Sequence, residues 1–511
     1  MNLSEIIAHH ADRYPDRVAL STADEDIDYE SLLARTERCA GALRELGVGR
    51  SDVVGVLLHN SVDIVELMLG CAHLGAIFMP LNWRLAGPEL AYIADHAGAK
   101  LLVSEPELRD LFDDLHEKGG ERSWATLGEG DERWRSLDDA RAAAKPVLEP
   151  EPVEGDDVMR LMYTSGTTSR PKGVMITFAN LYWKCTGQVV ELEMTGRDIG
   201  LACGPLYHVG ALDMVATNLL YVGGRTHILR RFDADDVLDA IERHKITLTW
   251  FAPAMVNAVI AAEGLGERDL DSVRLIQDGG EKMPLPLIKK VLEAFPNAWF
   301  ADAYGLTETV SGDTYLDKGK MVDKIGSVGK PILHTEVRIV DDDDNPVPAG
   351  EVGEVVVRGP KVCKGYWKDD EATAKTLRDG WLHTGDLGVL DEDGYLFIVD
   401  RLKDIIISGG ENIASSEVER VVYEHEAVVE AAVVGSPHER WGEVPVAYVA
   451  LKEGASVDEE ELDAHCRKRL AKYKTPKGFR FIDELPRNPS GKVLKRELRE
   501  REKEEQPAGR T

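Results

Sequence analysis

The chain reads as an α/β protein: a large N-terminal domain of parallel-sheet sub-domains with a β-rich sub-domain, followed by a small α+β C-terminal domain. Three observations predict this. Helical and strand-like segments alternate from about residue 30 to about 310, and such alternation gives parallel sheets with helices on their faces. From about residue 335 short strands separated by turn signals take over, the pattern of a β-rich sub-domain. The last 100 residues mix helices and strands again. At 511 residues the chain also exceeds what one compact core accommodates.

In order, "SLLARTERCAGALRELG" (31–47) spaces its apolar residues as a helix does and stops at Gly47. "DVVGVLLHN" (52–60) is a buried strand, "SVDIVELMLGCAHLG" (61–75) a second helix and "AIFMPL" (76–81) a second strand. Residues 105–155 are acidic and lack a period, which predicts surface structure joining sub-domains. The alternation resumes after residue 180. "TEVRIV", "GEVVVRG" and "GYLFIVD" are short strands, and the aspartates 341–344 form a turn between two of them. The polar "DRLKD" (400–404) is the expected boundary, dividing the chain into 1–400 and 401–511.

The net charge of −30 argues against non-specific binding to nucleic acid or to an anionic membrane. None of the six cysteines stands at CxxC spacing, which speaks against a disulfide framework or zinc site and fits a reducing cytoplasm. The N-terminal "MNLSEIIAHHADRYPDRVAL" is charged throughout, unlike a signal peptide. The longest apolar stretch, residues 67–81, falls short of the roughly 20 residues that span a bilayer. A soluble, cytoplasmic protein without an integral membrane segment is expected.

The stretch densest in chemistry is "YTSGTTSRPKGV", Tyr163 to Val174. A Walker loop requires G-x-x-x-x-G-K-[ST]. Here Pro171 stands in place of the second glycine and Gly173 in place of the magnesium-binding hydroxyl, so this is a different loop with similar tools. Backbone N–H groups around Gly166, hydroxyls of Thr164, Ser165, Thr167 and Thr168, and the Lys172 ammonium all suit phosphate oxygens. The competing reading is a polar turn before a strand. Further segments weigh against it. "DAYGLTETVSG" (302–312) sets Tyr304, able to stack on a base, beside Gly305, then Thr307 and Glu308, a hard oxygen ligand suited to magnesium. "GWLHTGDLG" (380–388) presents Asp386 where a carboxylate can accept ribose hydroxyls, and "RNPSGKVLKREL" (487–498) presents Lys492 in a loop. Each alone reads as a solvated turn; their order together is specific.

With "DRLKDIIISGGENI" between the last two, the chain resembles, over nearly its whole length, the adenylate-forming superfamily of acyl-CoA synthetases, non-ribosomal peptide adenylation domains and firefly-type luciferases. It is most similar to bacterial synthetases of fatty-acid and aromatic-acid type. The resemblance implies ATP, Mg²⁺ and coenzyme A, and two steps: a carboxylate attacks the α-phosphate of ATP, then the CoA thiol displaces AMP. It implies a medium- or long-chain fatty acid as first choice of substrate and an aromatic acid as second, a mobile C-terminal domain, and a homodimer.

By the same resemblance Lys492 contacts the α-phosphate and carboxylate during adenylation, Asp386 and Arg401 bind ribose, and Asp302 with Tyr304 binds adenine. Thr307 meets the α-phosphate, Glu308 the magnesium, and Lys403 is the hinge. Ser408, Gly409 and Gly410 face the pantetheine tunnel, and His208, Val209 and Leu212, with Gly279, Gly280 and Glu281, line the acyl pocket. Two departures stand out: Ser169 replaces a usual glycine, and Glu281 and Lys282 replace small residues beside the pocket. Two other readings are carried: an adenylating enzyme that loads a separate carrier protein, and an ATP-binding protein without turnover.

Overall fold

The computed structural model describes residues 2–164, 170–279, 283, 285–408, 411–438, 440–487 and 492–505. The chain divides into two compact units, one of residues 1–281, 289–337 and 357–382, the other of 282–288, 338–356 and 383–511.

The first unit holds two sheets. The helix Tyr29–Glu45 starts where the Asp28 carboxylate accepts the Ser31 N–H, and the helix Val62–Leu74 ends at Gly75, whose φ of +63° is the left-handed cap glycine tolerates best. Between and after them run the strands Val53–Leu57 and Ile77–Pro80, as the pattern predicts. They belong to a seven-stranded sheet in the order Arg135–Ser136, Ser123–Thr126, Ala99–Ser104, Val53–Leu57, Ile77–Pro80, Val158–Thr164, Lys172–Thr177. Every neighbouring pair is parallel except the last, a hairpin. Strands inside a parallel sheet are covered on both faces, and Val53–Leu57 is buried at every position.

Residues 105–155 correct the expectation of mere surface structure. They supply two strands of this sheet and bury Phe112, Trp124 and Trp134, the tryptophan rings 5.1 Å apart. The strands are too short to show a period, and their burial comes from aromatics far apart in sequence.

The second sheet has nine strands, with the parallel run Trp299–Tyr304, Leu275–Asp278, Leu248–Phe251, Ile199–Ala202, Arg225–Ile228, Val18–Ser21 at its centre and antiparallel pairs at both ends.

In the second unit the long strands Val428–His438 and Gly442–Leu451 pair antiparallel, and Phe479–Phe481 adds parallel to the latter. Helices Ser415–Tyr423 and Glu459–Arg467 pack Val418, Val422 and Leu462 against Val433 and Ala447. Of the strands predicted beyond residue 335, Leu396–Arg401 lies in this unit, while Glu336–Val340 and Gly353–Arg358 each run across a unit boundary in the chain. At the aspartate run, the Asp341 carboxylate accepts the N–H groups of Asp343 and Asn345, forming the expected turn. All six cysteines are buried and free. Among the described residues no helix is long and apolar enough to cross a membrane.

Candidate active site

The strands flanking the hydroxyl-rich stretch pair antiparallel. Thr164 ends one strand and Lys172 begins the next, directly opposite. Ser165, Gly166, Thr167 and Thr168 lie outside the described residues. Residues 363–367 bridge to the hairpin at Val174 and Tyr366: Met175 N–H donates to Gly365 O at 2.9 Å, Lys364 N–H to Met175 O at 3.0 Å and Trp367 N–H to Gly173 O at 2.7 Å. This brings Tyr366 under Lys172, whose ammonium lies 5.1 Å from the ring centroid, a cation–π distance. Among the described residues Lys172 makes no ion pair, so its charge is available to an anion.

The second element is the strand Trp299–Tyr304, buried along its length. Asp302 and Tyr304, two residues apart, share one face of the strand. Gly305 follows, and a Cβ there would stand 2.3 Å from Gly312 N, so only glycine lets the chain fold back so tightly. A single 3-10 turn, Thr307–Thr309, then presents Glu308. Glu308 Oε1 accepts the Tyr366 hydroxyl at 2.8 Å, and its backbone oxygen accepts Cys363 N–H at 2.7 Å. Burial first, then the adjoining Glu308 carboxylate, hold the Tyr366 phenol well above its ordinary pKa, so it stays protonated and donates. The second Glu308 oxygen takes no hydrogen bond from the described residues, and a carboxylate oxygen left available in this way fits a magnesium ion. Lys172 and Glu308, 136 residues apart in number, thus meet on the two ends of one phenol.

Tyr366 was not among the residues the sequence singled out. Its signal was the "GYW" at 365–367, an aromatic pair after a glycine that by itself looks like any turn.

The third element is the loop Gly204–Leu212. The Trp250 indole lies between two glycines: a Cβ on Gly204 would come within 2.9 Å of the ring, and one on Gly210 within 2.7 Å. His208 is half-buried with its ring centroid 6.3 Å from that of Trp250. Gly210 N–H donates to His208 Nδ1 at 3.2 Å. Val209 and Leu212 are buried in the hydrophobic core beneath.

The segment Gly210–Thr217 is wound as a π-helix. Side chains intercept its carbonyls: Lys184 Nζ donates to Asp213 O, and Gln277 Nε2 donates to Met214 O at 2.9 Å. Such intrusions are a known cause of non-α winding. Gly279 closes the strand Leu275–Asp278, its Cβ position 3.0 Å from Ala303 O. Gly280, Glu281 and Lys282 lie outside the described residues. Trp250 went unnoticed in the sequence because "TLTWFAP" reads simply as a buried strand.

In the second unit Asp386 and Arg401 face each other on paired strands, Arg401 Nε 3.3 Å from Asp386 Oδ1. Lys403 follows; lost hydration first, then the Arg401 charge, hold its ammonium below the usual lysine range. Arg499 ion-pairs with Asp404. Ser408 is buried and pairs opposite Glu411, and Gly409 and Gly410 lie outside the described residues. Lys492 is half-buried, just before the helix Lys495–Glu505.

The α/β scaffold thus brings a lysine and a glutamate to one tyrosine, an arrangement compatible with a nucleotide-handling enzyme. The match to known families is specific: the AMP-binding enzyme model covers residues 7–367 and the AMP-binding enzyme C-terminal domain model residues 417–492. The chain belongs to the AMP-binding enzyme family. It is 42% identical over 487 residues to a feruloyl-CoA synthase of Amycolatopsis sp, which is 95% of this chain and 96% of that one. Among solved structures, an anthranilate CoA ligase in complex with anthranoyl-AMP is 29% identical with a TM-score of 0.93, covering 99% of this chain and 98% of the other. The O-succinylbenzoate coenzyme A synthetase of Bacillus subtilis, in complex with ATP and magnesium ion, is 33% identical with a TM-score of 0.87 over 96% and 98% of the two chains. The protein is an acid–thiol ligase that uses ATP, magnesium ion and coenzyme A.

Proposed function

We propose that the acid this ligase activates is aromatic. The fatty acid expected first from the sequence gives way here, because the three relatives are named for ferulate, anthranilate and succinylbenzoate, each an acid with an aromatic ring. The observation that carries the reading within this chain is the Trp250 indole between Gly204 and Gly210 beside His208. An indole offers an aromatic ring the offset-stacked or edge-to-face contact that a flexible aliphatic chain cannot make.

In the proposed mechanism a carboxylate oxygen of the acid attacks the α-phosphorus, the bond to pyrophosphate breaks, and the acyl-adenylate forms. The CoA sulfur then attacks the carbonyl carbon and AMP leaves. Lys172 and the hairpin hydroxyls hold phosphate oxygens, Thr307 meets the α-phosphate, and Lys492 contacts both α-phosphate and carboxylate. These are fixed donors where negative charge grows, the arrangement that lowers such barriers most. Magnesium held by Glu308 would neutralise charge on the phosphates. Asp302 and Tyr304 bind adenine, and Asp386 with Arg401 binds ribose. His208, Val209, Leu212 and Gly279 border the acyl group. Ser408 borders the pantetheine arm, and Lys403 is the hinge by which residues 401–511 serve both steps.

The test is pyrophosphate release with ATP and Mg²⁺ over a panel of ferulate, cinnamate, benzoate, aminobenzoate, indoleacetate, decanoate and palmitate, with and without CoA. CoA-dependent turnover confined to the aromatic acids is expected. Turnover on decanoate and palmitate alone overturns the aromatic reading, and release indifferent to CoA turns attention to a carrier-protein acceptor. Lys492→Ala is expected to abolish adenylation yet retain thioester formation from a supplied acyl-adenylate; equal loss in both steps would remove the role given to Lys492.

A further inference from the structure

The turn that presents Thr307 and Glu308 continues into three successive left-handed residues: Val310 at φ +54°, Ser311 at +63° and Gly312 at +62°. For a β-branched residue such as Val310 that conformation is an outlier, and it persists only where the surroundings over-determine it. Here the surroundings are polar and buried. The Lys361 ammonium donates to Ser311 O and to Gly312 O, each at 2.8 Å, and forms an ion pair with the Asp313 carboxylate, whose Oδ1 lies 2.8 Å away. Asp313 Oδ2 accepts the Thr309 hydroxyl at 2.6 Å.

From the other side Gln188 Nε2 donates to Ser311 O at 2.8 Å, while its Oε1 accepts from Asn218 at 2.9 Å. Lys184, one helical turn before Gln188, donates to Asn218 Oδ1 at 2.9 Å. The segment carrying Lys361 is itself tied: Asn180 Nδ2 donates to Pro360 O at 2.9 Å and to Val362 O at 2.8 Å. That segment therefore grips the turn three times, through Lys361, through Cys363 N–H on Glu308 O, and through the Tyr366 hydroxyl on the Glu308 carboxylate.

Lys361 and Asp313 are both buried, and burial pushes the lysine pKa down and the aspartate pKa up. A buried ion pair of this kind is weak support for stability, since apolar residues of the same shape often do as well. What it supplies that apolar packing lacks is direction. We propose that Lys361 is a positioning residue: with Asp313 and Gln188 it holds the left-handed run that sets Glu308 for the metal and Thr307 for the α-phosphate. This rests on the reading of Glu308 as the metal ligand.

The experiment uses the full chain with ATP and follows Mn²⁺ binding by electron paramagnetic resonance, alongside adenylation kinetics and thermal melting. Lys361→Met alone leaves a buried carboxylate without its cation, so it is combined with Asp313→Asn. A misplacement of about 1 Å can cost about 100-fold in rate. The double variant is expected to fold, to bind Mn²⁺ about ten-fold more weakly and to adenylate at least about ten-fold more slowly, with the KM for the acid within about two-fold. Parental Mn²⁺ affinity and adenylation in the folded double variant would overturn the proposal.

Glu308→Gln separates the two ideas. If it weakens Mn²⁺ while the double variant does not, the positioning role alone fails; if it leaves Mn²⁺ unchanged, the ligand assignment fails and the positioning role with it. Should the double variant not fold, Gln188→Met removes one bond to Ser311 O and carries the same test, with about a three-fold loss of Mn²⁺ affinity expected and no loss overturning it.

Discussion

Two loops of the first unit hold their functional residues by opposite means. The turn Gly305–Asp313 is fixed by directional contacts: a lysine with two carbonyl acceptors and an ion pair, a glutamine, a phenol on the glutamate. The loop Gly204–Leu212 is fixed by shape, an indole wedged between glycines over a buried aliphatic floor. The contrast follows the chemistry each would serve. Charge on phosphorus must be met at a defined distance, and hydrogen bonds set distances. An acyl group is chosen by the volume and flatness of what surrounds it, which packing sets.

The comparison can be broken most severely at Gly305. Gly305→Ala drives a Cβ to 2.3 Å from Gly312 N, so the turn must open. Adenylation is expected to fall about 100-fold with the acid preference unchanged, read from pyrophosphate release across the acid panel. A near-parental rate would mean the tight fold-back does not position the turn.

Trp250→Phe tests the other loop. The KM for the preferred acid is expected to rise about ten-fold, while Mn²⁺ affinity with ATP stays parental. A loss of Mn²⁺ affinity of similar size would erase the distinction between the loops.

Tyr366→Phe is milder, since it removes the hydroxyl from Glu308 but keeps the ring under Lys172. A hydrogen bond is worth about 1 kcal/mol net, so adenylation should slow about five-fold. An unchanged rate would show that the Tyr366 hydroxyl is not needed to hold Glu308.

The smallest effect on turnover lies outside both loops. His227 stacks on His244 with centroids 4.0 Å apart, and burial, then the His244 charge, lower its pKa from 6.5 to about 4. The unfolded chain therefore binds more protons between those values. Stability is full above pH 6.5 and is lost as the pH falls toward about 4. His227→Gln should flatten that acid limb in melting temperatures taken from pH 7 down, with turnover at neutral pH unchanged. A limb that keeps its slope would assign the effect to other histidines.

How much of this was legible beforehand varies by element. The helices and strands of residues 31–81 stood out because a parallel sheet forces continuous apolar runs between helical repeats. Lys172, Glu308 and Asp386 stood out because hydroxyl-, glycine- and acid-rich turns break that texture. Residues 105–155 were misread because two-to-four-residue strands carry no period. Lys361, Gln188 and Trp250 were invisible for another reason: each looks ordinary beside its chain neighbours, and its partners are far away in number.

By itself, then, the sequence determined the class of fold, the order of the elements and the kind of turns from which candidate groups are drawn, because periodicity and turn chemistry are local. Only the tertiary structure decided which groups meet. Tyr366 joins Lys172 to Glu308, Lys361 holds a left-handed run against Asp313, and Trp250 lies between two glycines. Each depends on bonds or contacts between residues tens to hundreds apart, whose geometry is set when the sheets form and bury them.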